Sequence, residues 1–253
     1  MIRIYLVRHG ENVANITKEF SHRLVDYDLT DKGRLQANQT ADYFRSLSKN
    51  VSIDAIYSSP LKRAMQTADA ISAAVGVPYT VVEDFREINV GDLEKHPPTD
   101  ESWDTYFRVS DAWYNRRMEV PFPGGEDYDS LYGRFIRGLQ LVIGSGAENI
   151  IIVGHAGIFT FGIMELFHID DRHAFDAIPN CNCSVTEILL DNEAKPIELV
   201  RWADGSHLYV EAAKVVESYP VRQNVGAAGD ARMLEVPTIH IFTVGENVKE
   251  RIK

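Results

Sequence analysis

Cysteine is scarce in this 253-residue chain: only Cys181 and Cys183 are present. Two thiols one residue apart cannot build a disulfide framework, and a metal site would need more ligands than stand beside them. They are read as reduced, partly buried thiols of a cytoplasmic protein. Long apolar runs are missing too, so no membrane span is expected. No basic stretch leading into an apolar one opens the sequence, so no secretory signal is expected. Positive charge is in deficit, with 26 Lys and Arg against 37 Asp and Glu and a net charge of −11. Such a field disfavours nucleic acid and anionic membranes as partners. It also repels anionic ligands at long range, so any anion site must be a local basic pocket. Internal repeats and low-complexity segments are absent. What remains is a chain that is 45% hydrophobic and 25% charged, enough to bury one sizeable core.

Ile2 to Val7 is a short apolar run rich in β-formers, a buried strand ending in Arg8-His9-Gly10-Glu11. Asp31 to Leu47 places Leu35, Ala41, Phe44 and Leu47 at helical spacing behind a candidate cap, Thr30. Asp54 to Ser58 reads as a second strand. Ser59-Pro60 then predicts a helix start, with serine as N-cap and proline in the first position. That helix runs to about Val75 and stops at Gly76-Val77-Pro78, and Tyr79 to Glu83 is a third strand. Residues 84 to 125 change character, being polar, aromatic and broken by Pro97-Pro98, with a helix around Trp103 to Arg117. A lid insertion over about 88–130 is expected there. Leu131 to Ile143 is helical. Asn149 to Gly154 is the clearest buried strand and runs into His155-Ala156-Gly157 and an apolar helix. Ser184 to Leu190 and Ile197 to Trp202 are two late strands. Val236 to Val244 is a candidate edge strand, where Pro237 is tolerated.

Strands alternating with helices predict a three-layer α/β/α sandwich around a mainly parallel sheet. One domain over 1–205 is expected, with an extension of unassigned role over 206–253. In such sheets ligands sit outside the carboxyl ends of the strands. Arg8-His9, Ser58 and His155 all fall at or just after strand ends. The glycines beside both histidines let backbone amides approach a ligand closely, and amides with helix N-termini suit an anion. Arg8 and Arg63, with two imidazoles, supply the local positive charge that the acidic chain otherwise lacks.

Arg8-His9-Gly10-Glu11 with Asn15, Leu29-Thr30-Asp31-Lys32-Gly33 with Gln36-Ala37, and Ser58 to Ala68 follow in order. Arg86 to Glu94, Pro123-Gly124-Gly125-Glu126 and Val153 to Gly157 complete the series, and Asn180 precedes a late strand. Over about residues 1 to 203 this series resembles the histidine phosphatase (phosphoglycerate mutase-like) superfamily. The resemblance implies a metal-independent phosphatase acting on small phosphate monoesters through a phosphohistidine. It implies His9 as nucleophile and Glu87 as proton donor and then base. Arg8, Arg63 and His155 would bind the phosphoryl oxygens, Asn15 would add a neutral donor, and Ala156 and Glu11 would complete the binding set. No metal and no cofactor are implied.

Other readings fare worse. Asp26-Tyr27-Asp28-Leu29-Thr30 fits the DxDxT pattern of Mg-dependent phosphatases, but the polar segment Phe20 to Val25 before it does not make the required strand. A cysteine phosphatase needs an arginine six residues past its cysteine, where Glu187 and Leu189 stand. No GxxxxGK[ST] loop occurs. Cofactor-dependent mutases usually follow their acidic residue with Arg-His-Tyr-Gly; here Ile88-Asn89-Val90-Gly91 follows Glu87, and only Arg116-Arg117 is faintly similar to a mutase pair. A non-catalytic relative that binds a phospho-ligand or a protein would show a lost catalytic residue, and none is lost. Trp103, Tyr106, Phe107, Trp113 and Tyr114 are read as lid-to-core packing or as a substrate mouth. Lys95, Arg108, Arg116 and Arg117 are read as solvated charges or as a second anion subsite. The substrate and the oligomeric state are left open.

Overall fold

A computed structural model describes residues 1–169 and 180–214 together with the backbone of 242–243. Strands β1 (Ile2–Arg8), β2 (Ala55–Ser58), β3 (Tyr79–Val81), β4 (Asn149–Gly154), β5 (Val185–Leu190), β6 (Pro196–Asp204) and β7 (Phe242–Thr243) form one sheet in the order β3-β2-β4-β1-β5-β6-β7. The first four strands in that order run parallel, and β5, β6 and β7 pair antiparallel. The helices are α1 (Val13–Thr17), α2 (Asp31–Leu47), α3 (Lys62–Val75), α4 (Asp100–Tyr114), α5 (Tyr128–Ile143) and α6 (Ala156–Leu166).

Strand alternation generates the three layers. Along β1, Ile4 and Leu6 join one core while Tyr5 and Val7 join another; along β4, Ile150 and Ile152 are divided from Ile151 and Val153 in the same way. A strand apolar at every position is thus buried on both faces. α2 and α3 cover one face through Ala41, Phe44, Ala64, Ala68 and Ile71. α4, α5 and α6 cover the other through Val109, Trp113, Leu131, Phe135 and Ile158. The helix boundaries follow from side-chain caps. Thr30 accepts the Gly33 N–H, Thr99 and Ser102 form a reciprocal capping box, and Asp127 accepts the Ser130 N–H. Each such cap stabilises its helix by about 1 kcal/mol.

Several boundaries differ from the sequence reading. α3 begins at Lys62, not at Ser59-Pro60, and its N-cap Leu61 makes no side-chain bond. The reason is that Ser59 is still tied to the sheet, its N–H donating to Val153 O at 2.9 Å, while its hydroxyl pairs with His155. α4 starts and stops three residues early, set by the Thr99 box and by Arg116 in the left-handed region (φ 60°). α1 was not expected; Asn12 and Asn15 cap it reciprocally. The stretch 88–130, expected as a lid, sends Ile88, Trp103, Trp113 and Phe122 into the same core as β1 and β4. Within the edge-strand candidate, Phe242–Thr243 pairs with β6, and the rest of Val236 to Val244 lies outside the described residues.

The parallel register is what positions the site. Arg8 lies opposite Gly154, and Ser58 opposite Val153. His9 N–H continues the ladder by donating to Gly154 O at 2.9 Å. His9, Ser59 and His155 therefore leave the sheet side by side at one rim. Among the described residues, no helix is long and apolar enough to cross a membrane.

Candidate functional site

The turn after β1 packs on the first turn of α2. A Cβ on Gly33 would overlap the Glu11 carbonyl oxygen, and one on Gly10 would lie 2.5 Å from Gly33 O. Two glycines are needed because two backbones touch there. Gly10 N–H is held by Thr67 Oγ1 at 3.0 Å. The His9 ring is buried and its two nitrogens are already assigned by their partners. Nδ1 lies 2.7 Å from Gly10 O, a pure acceptor, so the proton sits on Nδ1. Nε2 then presents its lone pair and accepts from Arg63 Nε at 3.1 Å. Burial first, and the guanidiniums of Arg63 and Arg8 next, hold this histidine well below its ordinary pKa, against the pull of the Gly10 carbonyl. At neutral pH it is an uncharged imidazole whose unprotonated Nε2 can act as a base or nucleophile once Arg63 Nε releases that lone pair.

Arg63, in the first turn of α3, is 3% exposed. Its other two nitrogens donate to Ser21, Nη1 to the hydroxyl at 2.7 Å and Nη2 to the carbonyl at 2.8 Å. Burial pushes its pKa down to about 10, so it remains cationic at neutral pH. Arg8, at the end of β1, donates to the Asn180 carbonyl. His155 precedes α6, its ring centroid 5.1 Å from that of His9. Its Nε2 lies 2.7 Å from Ser59 Oγ, and its buried Nδ1 has no partner among the described residues. Burial, with Arg63 and His9 next, keeps it neutral as well.

Glu87 follows a 3-10 turn at Glu83–Phe85. Its carboxylate accepts three backbone N–H groups: Oε1 from Ile88 at 2.9 Å and Ile158 at 3.0 Å, Oε2 from Gly157 at 3.1 Å. It thus caps α6, whose own N-cap residue, His155, turns its ring to Ser59 and makes no capping bond. Arg134 fixes the main chain of this segment by donating to the carbonyls of Asp84, Arg86 and Glu87, and it pairs with Glu126. Asn15 receives Asn182 Nδ2 and Asn12 N–H on its Oδ1, each at 3.1 Å, which leaves its amide N–H groups for a ligand.

A cleft opens beside these groups, and His155, fully buried behind it, does not line it. Arg8, His9, Asn15, Arg63, Glu87 and Ala156 line it, so six of the expected residues converge on one space. Phe20, Ile88, Val90, Trp103 and Tyr106 form its apolar wall, and Glu19 lines it too. Phe20 and Trp103 pack with ring centroids 4.5 Å apart. Glu11 is not brought in. Its carboxylate accepts from Thr30 Oγ1 at 2.8 Å and pairs with Lys32 at 3.2 Å, at the start of α2. Trp113 packs in the core, its indole N–H on Val120 O. Lys95 pairs with Asp92 at 2.7 Å and Arg116 with Glu165, and neither lines the cleft. Among the described residues no cluster of three His, Cys, Asp or Glu side chains is placed to hold a metal ion. The sequence reading missed Ser21, Asn182 and Arg134, which lie in loops or on a helix far along the chain. Ser59 was noticed but assigned to a helix cap.

Four histidines, the buried His9, His22 and His155 and the half-buried His207, are held below the ordinary value, each chiefly by loss of solvent. The unfolded chain takes up those protons near pH 6.5 and the folded chain does not. Stability is therefore complete above about pH 6.5 and is lost as pH falls below it. Thermal unfolding between about pH 8 and pH 5 should show Tm dropping on the acid side. A Tm that stays level or rises there would contradict the neutral state of these rings.

Comparison with known proteins gives a consistent picture. The family model of the histidine phosphatase superfamily (branch 1) matches residues 4–204. The chain is 34% identical over 209 residues to phosphoglycerate mutase-like protein 4 of Arabidopsis thaliana, covering 81% of this chain and 86% of that protein. It is 31% identical over 216 residues to the metal-independent phosphoserine phosphatase of Arabidopsis thaliana, covering 81% and 82%. The solved structure of Bacillus stearothermophilus YhfR superposes with a TM-score of 0.68 at 25% identity, covering 82% of this chain and 99% of that one.

Proposed function

The chain belongs to the histidine phosphatase superfamily, and from that premise we propose that it hydrolyses phosphate monoesters of small molecules through a phosphohistidine at His9. The observation that carries this reading is the His9 Nε2 lone pair, held 3.1 Å from Arg63 Nε in the cleft that Arg8 and Glu87 also line. A neutral imidazole with its proton on Nδ1 is a nucleophile that needs no separate base.

In the first step Nε2 attacks phosphorus and the P–O ester bond breaks. The leaving oxygen takes a proton from the Glu87 carboxyl, and Arg8, Arg63 and His155 Nδ1 stabilise the charge on the phosphoryl oxygens. In the second step Glu87 removes a proton from water, the water oxygen attacks phosphorus, and the N–P bond breaks. Inorganic phosphate leaves and the Nε2 lone pair returns. Ala156, as the first residue of α6, offers a backbone N–H to the same anion.

The cleft walls support a substrate with a small, partly apolar body. Among the described residues, Arg8 and Arg63 are the only cationic side chains lining the cleft, and both are used by the phosphoryl group. A second anionic group on the substrate would face Glu19 with no guanidinium to receive it. This weighs against a phosphoglycerate mutase reading, for which Arg116 stood as a faint candidate; that side chain is paired with Glu165. Thiols rather than a disulfide at Cys183, which is buried, and Cys181, which is half-buried, suit a reducing, cytoplasmic location.

Phosphate release from a panel of p-nitrophenyl phosphate, phosphoserine, sugar phosphates and phosphoglycerates, in excess EDTA, tests the proposal. Release is expected, with phosphoglycerates ranking low. No release in EDTA with recovery on Mg²⁺ would overturn the metal-independent mechanism, and no release under either condition would overturn the phosphatase reading.

A further inference from the structure

Glu94 does not line the cleft, yet it is 7% exposed. Its Oε1 accepts four successive backbone N–H groups: His22 at 2.6 Å, Arg23 at 2.7 Å, Leu24 at 2.9 Å and Val25 at 3.0 Å. Successive main-chain N–H groups turned to one point make an anion nest, and here the anion is a carboxylate about seventy residues further along the chain. The residue entering that nest is Ser21, whose hydroxyl and carbonyl hold Arg63 Nη1 and Nη2. The first residue within it is His22, whose Nδ1 donates to Glu87 O at 2.8 Å and whose carbonyl accepts from Arg86 at 3.0 Å. A single turn of main chain is therefore gripped by Glu94 on one side. On its other side it grips both the phosphoryl-facing arginine and the main chain of the acid residue.

We propose that Glu94 is a positioning residue, which sets the aim of Arg63 by clamping the 21–25 turn. This rests on the reading of Arg63 as a phosphoryl-binding group. Loops lack the repetitive hydrogen bonds that hold a helix or strand, so a ligand-aiming loop needs such an external tether. Without it, Ser21 would no longer present two acceptors at one distance and angle. Arg63 would keep its charge and lose its direction, and misplacement of about 1 Å costs roughly a hundredfold in rate.

The test is a double-mutant cycle between position 94 and position 63, measured as kcat/KM on p-nitrophenyl phosphate, with vanadate inhibition as a second readout. Glu94→Ala should lower kcat/KM by about a hundredfold and weaken vanadate in parallel. In the Arg63→Ala background it should cost almost nothing more, because the group it acts through is gone. Glu94→Gln keeps an acceptor oxygen and loses the charge, so it should fall by only about tenfold. Its cycle with Arg63→Ala decides the matter if Glu94→Ala gives no cooperative unfolding transition. Wild-type kcat/KM in both Glu94 variants, or full multiplicative loss in the double variants, would overturn the proposal. Wild-type kcat/KM in Arg63→Ala alone would instead overturn the phosphoryl-site reading beneath it.

Discussion

His9→Ala should abolish turnover, lowering kcat by at least about 10,000-fold, and should leave the fold intact. The loss is large because no other described nucleophile shares its place: His155 Nε2 is turned to Ser59, and both thiols are raised in pKa by burial, Cys183 to about 12. The fold should survive because the ring makes one local bond, to Gly10 O, and one to Arg63. Removing a buried neutral histidine should even relieve part of the acid-side loss of stability. The wild-type protein quenched during turnover of a ³²P-labelled substrate should carry label that is acid-labile and base-stable, as a phosphoramidate is. Label stable to acid and lost in base would point to an acyl phosphate on a carboxylate, and normal turnover in His9→Ala would remove the mechanism.

Arg63→Ala should lower kcat/KM by about 1,000-fold, some 4 kcal/mol of transition-state stabilisation. All three guanidinium nitrogens have assigned partners: Nε on His9 Nε2, and the two terminal nitrogens on Ser21. When a phosphoryl group enters, Nε must leave the lone pair that attacks and turn to an equatorial oxygen, while the terminal nitrogens keep the plane in place. A lysine has one ammonium for these three tasks, so Arg63→Lys should recover less than about tenfold of the loss. If kcat and kcat/KM fall together and vanadate weakens equally, the interaction belongs to the transition state. Near-normal rates in Arg63→Lys would show that charge alone suffices and that the fork geometry is not used.

Much of this was legible along the chain. Runs such as Asn149 to Gly154, apolar at nearly every position, can only be strands buried on both faces, and that already implies helices on two sides. Glycine next to His9 marked a close backbone approach, that of Gly10 to Gly33, whereas the glycine before His155 makes room for the Phe159 ring. Motif order pointed to His9, Arg8, Arg63, Glu87 and His155, of which the first four line one cleft. What local pattern could not reach were the contacts between distant segments. Asn182 reaches back to the carbonyl of His9 and to Asn15, and nothing in its own neighbourhood signals this. Ser59 carries the marks of a helix cap, but its hydroxyl faces His155, because β2 and β4 lie side by side. Glu11 adjoins the motif glycine, but the packing of Gly10 on Gly33 turns its carboxylate to the start of α2.

By itself, then, the amino-acid sequence determined the layers and the residue types able to hold and attack a phosphoryl group. Both are carried by short-range rules: strand alternation, helical spacing, and the chemistry of imidazole, guanidinium and carboxylate. Only the tertiary structure decided which of those groups share one cleft. It also set the proton on His9 Nδ1, made Glu87 the cap of α6, and tied Arg63 to a turn clamped by Glu94. Those outcomes depend on strand register and on close packing between segments tens of residues apart, where a shift of one residue would point each side chain to the other face.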